Sequence, residues 1–74
     1  MNIYRSLSDK NLFLFTENRL DENYYENIAK VSREIDTSNY IENSNILISM
    51  LRSKNIEVPE SFSITVTWYF KLSL

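Results

Sequence analysis

Glycine, cysteine and histidine are missing from this 74-residue chain, and proline occurs once. Without glycine there is no Gly-rich phosphate loop. Any backbone position that needs positive φ must be taken by another residue, and nine asparagines are the available substitutes. Without cysteine no disulfide staples the fold; this composition fits a cytoplasmic location. The commonest general base, the thiolate nucleophile and the usual zinc ligands are absent together. A protein that is not an enzyme, with no cofactor and no metal, is the expectation.

Charge of one sign is scarce as well. Ten acidic and eight basic residues leave a net charge of -2, spread along the chain without a block. A nucleic-acid binder carries a basic stripe, and none is visible, so no direct nucleic-acid contact is expected. The first five residues lead into polar sequence, unlike a secretory signal. The longest apolar-leaning stretch, 62–74, is too short and too rich in Ser and Thr to span a bilayer. Seventy-four residues make one small domain whose core alone gives marginal stability. With disulfides excluded and metals disfavoured, a partner chain is the remaining source of stabilisation.

The apolar pattern then divides the chain. Ser8 suits a helix N-cap with Asp9 in the first turn, which predicts a helix over 9–18 with Leu12 and Phe15 on one face and Phe13 and Leu14 widening it. Asp21 caps a second predicted helix over 21–35, where Tyr24, Ile28, Val31 and Ile35 recur at steps of four, three and four. Thr37 or Ser38 caps a third over 38–54, with Ile41, Leu47, Ile48 and Leu51 apolar and Asn55 as a left-handed cap in place of glycine. Residues 56–60 run extended ahead of and through Pro59. Residues 61–70 alternate polar and apolar with period two, as a strand does, while Phe62, Val66, Tyr69 and Phe70 also share a helical face.

These elements predict an all-α fold: a three-helix bundle over 7–55, a linker over 56–60 and an interaction segment over 61–74, with 61–72 helical on a partner. The alternative is α+β, with residues 2–7 and 12–16 as a hairpin around Ser8-Asp9-Lys10-Asn11 and the C-terminal segment as a strand. In the bundle, Leu12, Phe15, Ile28, Val31, Ile35, Ile41, Ile48 and Leu51 already fill the core. Phe62, Val66, Trp68, Tyr69 and Phe70 are then surplus apolar surface, which marks a protein-binding segment. Phe13 and Leu14 are further contact candidates, with the core as their other role. The carboxylate pairs Asp21/Glu22 and Glu57/Glu60 read as a helix start and a solvated loop. Ser44, between Asn43 and Asn45, lacks the acidic loop that a prosthetic-group attachment serine needs.

The order of short motifs resembles the N-terminal domain of anti-sigma factors. The matching pieces are Leu7-Ser8-Asp9, Arg19-Leu20-Asp21-Glu22, Ile28, residues 47–51, and Val58-Pro59-Glu60-Ser61-Phe62 with Val66. The resemblance spans about residues 7–66. Many members hold zinc through a His and a Cys-x-x-Cys; the corresponding positions here are Val31, Ile35 and Ser38, so packing would replace the metal. The resemblance implies an inhibitor that wraps a sigma factor of the extracytoplasmic-function type in a heterodimer and covers its RNA-polymerase-binding surface. A small phage-type inhibitor such as an antidefence protein, an antitoxin or an immunity protein is the alternative.

Overall fold

The computed structural model describes residues 1–32, 36 and 38–67. It is α+β: strands β1 (Asn2–Ser6), β2 (Leu12–Thr16) and β3 (Tyr25–Lys30), helix α1 (Tyr40–Ser53), then strand β4 (Ser63–Thr67). One sheet holds all four strands in the order β3-β1-β2-β4. β1 is antiparallel to both of its neighbours, and β4 is parallel to β2. Three strands therefore point one way and β1 opposes them. The three-helix bundle is thus incorrect; strands and turns occupy the first two expected helices, and the described part of 61–72 contains a strand.

Each correction has a local cause. Leu12-Phe13-Leu14-Phe15 is a continuous apolar run because β2 is an inner strand covered in part on both sides, where alternation fades. Ser8 and Asp9 do not start a helix. Asp9 Oδ1 accepts from Asn11 N–H (3.0 Å) and its carbonyl from Leu12 N–H (3.0 Å), closing the loop between β1 and β2. Asp21 repeats the device, accepting from Asn23 at its side chain (2.8 Å) and from Tyr24 and Tyr25 at its carbonyl (3.0 Å each). The helix-like spacing of Ile28 and Val31 comes from a β-bulge. Ile3 faces Ala29 and Tyr4 faces Asn27, which leaves Ile28 as the extra residue, so Ile28 and Ala29 are both buried. Ile35, the last position of that expected stripe, lies outside the described residues.

The one helix among the described residues falls within the third predicted one. Its N-cap is Asn39, whose Oδ1 accepts from Glu42 N–H at 3.0 Å, and not Ser38; Thr37 lies outside the described residues. Ser38 is occupied by Asp36, to which its N–H and hydroxyl both donate. The C-terminus closes as a Schellman motif: Ile56 N–H donates to Leu51 O (2.9 Å) and Asn55 N–H to Arg52 O (3.1 Å), with Asn55 at φ 58. Asn55 thus fills the left-handed position for which the chain has no glycine.

The core lies between α1 and one face of the sheet. Ile3, Phe13, Phe15, Leu47 and Leu51 are fully enclosed, and Ile28, Ala29, Val31 and Ile46 complete the cluster. Each large side chain buried there stabilises the fold by about 1.5–3 kcal/mol. The inward stripe of α1 is Asn43, Ile46, Leu47 and Leu51. Relative to the expected face the helix is rolled about its axis: Ile41 is 75% exposed and Ile48 only half-buried. Leu12 is also half-buried rather than core. Among the described residues no helix is long and apolar enough to cross a membrane.

Candidate functional site

The sheet has a second face, turned away from α1, where exposed and half-exposed side chains of β2 and β4 stand side by side. Because Phe13 and Phe15 point into the core, alternation sends Leu12 and Leu14 to this opposite face, where both are half-exposed. Ser63 and Thr65 of β4 are exposed beside them, in register with Leu12 and Leu14. Tyr4 emerges on the same face of β1 but is only 5% exposed, because the segment 17–24 arches over it.

That arch is fastened at defined points. The Leu20 N–H donates to the Tyr4 hydroxyl at 3.2 Å. The Asn2 side-chain amide donates to Asn18 O at 3.2 Å, and Asn18 N–H donates to Thr16 Oγ1 at 3.0 Å. Asp21 supplies the turn that delivers the chain into β3. Between arch and sheet lies a cleft of about 890 Å³. Tyr4 and Tyr25 form its aromatic part, edge to face with ring centroids 6.4 Å apart and planes at 70°. Leu7 and Leu20 add apolar wall. The charged lining is mixed: Arg19 and Lys30 against Glu17, Glu22 and Glu26. A group entering the cleft meets apolar surface together with both signs of charge.

A second, smaller cleft of about 590 Å³ lies where Arg5 meets the segment Ile56-Glu57-Val58-Pro59-Glu60-Ser61. Its Arg5 is already engaged: Nε donates to Lys10 O at 2.7 Å and the guanidinium carbon lies 5.3 Å from the centre of the Phe13 ring. Among the described residues, no group of three or more His, Cys, Asp or Glu is placed to hold a metal ion. The hydroxyl oxygen of Ser44 is buried on α1 without a hydrogen-bond partner among those residues, so it is not presented for attachment of a prosthetic group.

The described residues among those expected to bind a partner fall on both sides of the sheet. Phe13 is fully buried, with Phe62 edge-on to it at 5.9 Å and 86°. Phe62 and Val66 are half-buried and pack against the core, on the α1 side of the sheet. Leu14 is on the opposite face, beside the cleft-bearing part of the sheet. Trp68, Tyr69 and Phe70 lie outside the described residues. The cleft residues Tyr4, Arg19, Leu20 and Tyr25 are not among the contact residues expected from the sequence, although Arg19 and Leu20 belong to one of the resembling motifs. The signal that was available is the hairpin of residues 2–16, which places Tyr4 on the face shared with Leu14; the pairing of β1 with β3 that brings in Tyr25 leaves no comparable mark.

The fold and site define a small α+β domain with one sheet face packed under a helix and the other presenting a cleft. Comparison with family models, with curated proteins and with solved structures finds no match to this chain.

Proposed function

We propose that this chain acts by binding another protein, as a small non-enzymatic inhibitor whose partner docks on the sheet face opposite α1. The observation that carries the reading is the composition of the cleft. Tyr4, Tyr25, Leu7 and Leu20 supply apolar and aromatic surface, and Arg19, Lys30, Glu17, Glu22 and Glu26 line the same cleft. Aromatic and apolar surface combined with polar and charged groups is the composition of a protein–protein interface. Half-exposed Leu12 and Leu14 extend the apolar area beyond the cleft. The mixed charge sets the orientation of a partner segment more than its affinity.

A cytoplasmic setting and a heterodimer with the target belong to this reading. A phage-type inhibitor, an antitoxin or an immunity protein would each work in this way. A sigma factor as target rests on the motif order from Leu7-Ser8-Asp9 to Val58-Pro59-Glu60-Ser61-Phe62. The wrapping mode that this resemblance implied used helices where the chain has β2, β3 and β4, so a sigma factor would have to be held differently, on the sheet.

The test is affinity capture from the native host with wild type and with Tyr25→Ala in parallel, followed by calorimetry on the purified captured protein. Tyr25→Ala is expected to weaken binding about 30-fold, the loss of one interface hot spot of about 2 kcal/mol. Equal affinity of the two proteins would remove the cleft from the interface. Inclusion of the host's sigma factors in the calorimetry decides that arm separately.

A further inference from the structure

The two edges of the sheet are built differently. β3, one edge, carries Glu26, Lys30 and the bulge at Ile28, three features that discourage strand addition. β4, the other edge, reads Ser63-Ile64-Thr65-Val66-Thr67 and has no charge, no proline and no register shift against β2. Among the described residues nothing pairs with its outer side. Ser63 N–H donates to Asn11 O at 2.8 Å, so Ser63 turns its backbone toward β2. Alternation along the strand then turns the N–H and C=O groups of Ile64 and Val66 outward.

We propose that β4 pairs antiparallel with β4 of a second copy of this chain, about a two-fold axis at Thr65, to give a continuous eight-stranded sheet. The occupant is a second copy because the strand is its own complement. About Thr65 the polar and apolar positions are palindromic: Ile64 meets Val66 of the second copy, and Thr65 meets Thr65. In that register Ile64 and Val66 form the hydrogen-bonded pairs, so the outward backbone groups of both strands are the ones that bond. The Thr65 pair is the close, non-hydrogen-bonded one. Ile64 and Val66, half-buried on the α1 side, gain apolar neighbours of their own kind. Exposed Thr65 meets a hydroxyl on the other face. An uncharged edge offers a charged foreign strand no complement. A single short strand on each side buries less than the roughly 1,200 Å² of a standard interface, so the dimer is weak and concentration-dependent. It leaves the cleft beside β1 and β3 free, and it is independent of the partner-binding reading.

Sedimentation equilibrium of the full chain tests this. Wild type is expected to rise from the monomer mass of 8.8 kDa toward twice that as concentration reaches the millimolar range. Thr65→Lys and Thr65→Glu each place like charges together at the two-fold axis and are expected to stay monomeric with wild-type circular dichroism. An equimolar mixture of the two is expected to dimerise again. A wild type that remains at the monomer mass throughout overturns the proposal, as does dimerisation of both single variants at wild-type strength. Should either variant misfold, an amide-exchange series on wild type decides: protection of Ile64 and Val66 N–H that rises with concentration supports the pairing, and protection that does not change with concentration sinks it.

Discussion

Two residues show how a chain without glycine manages its turns. Asn55 sits at φ 58, where a β-carbon is strained unless the side chain is Asn or Asp. Asn55→Ala is expected to lower stability by about 1–2 kcal/mol in urea unfolding, while Asn55→Gly lowers it little or raises it. Equal losses for both would show that the side chain, and not the backbone conformation, matters there. Asp36 is the second case. The hydroxyl and the N–H of Ser38 donate to its Oδ1 at 2.6 and 3.1 Å and hold its carboxyl below its ordinary value. A depressed carboxylate contributes stability above its unfolded value, and that contribution is lost as the pH falls through the folded one. In an NMR titration, Ser38→Ala is expected to raise the Asp36 midpoint toward the ordinary value; an unmoved midpoint would assign the shift elsewhere.

Among the elements, α1 was the most legible, because its apolar spacing, its cap region and its left-handed terminator agree. Its facing was legible in part: Leu47 and Leu51 of the expected face are buried, while Ile41 and Ile48 give way to Asn43 and Ile46, a roll that only the sheet beneath decides. β3 was hidden by its bulge, which spaces Ile28 and Val31 as a helix would. β4 is visible as period-two alternation, but a strand needs a neighbour, and a helix over 9–18 leaves none. The hairpin alternative held the missing neighbour. For the site, Leu14 could be placed on a binding face, whereas the Tyr4–Tyr25 floor depends on pairing between distant segments that composition does not record. The docking of β4 on β2 can be measured through Phe62, which enters that strand edge-on to Phe13. Phe62→Ala is expected to cost about 3 kcal/mol of stability, the low end for a buried phenylalanine because the ring is half-buried. A cost under about 1 kcal/mol would mean that the pair contributes little beyond excluding water.

At the scale of the molecule, the described residues form one enclosed cluster under one helix. A domain of this size gains only about 3–5 kcal/mol from its core, so reversible, cooperative urea unfolding in that range is expected for the isolated monomer. A stability near 10 kcal/mol would mean that the chain needs no partner to hold its shape. The cleft and the core occupy opposite faces of the same sheet, so substitutions at Leu14 or Arg19 are free to alter binding without emptying the interior.

The parallel pairing of Leu12 with Ser63 and of Thr16 with Thr67 also has a meaning for synthesis. On the ribosome, the greasy Leu-Phe-Leu-Phe ribbon emerges well ahead of β4 and waits for β3, α1 and the segment after it before its outer flank is sheathed. During that interval the nascent hairpin is vulnerable to sticking to its siblings. Slow translation of the later codons would therefore reduce soluble yield even where the finished protein is unchanged.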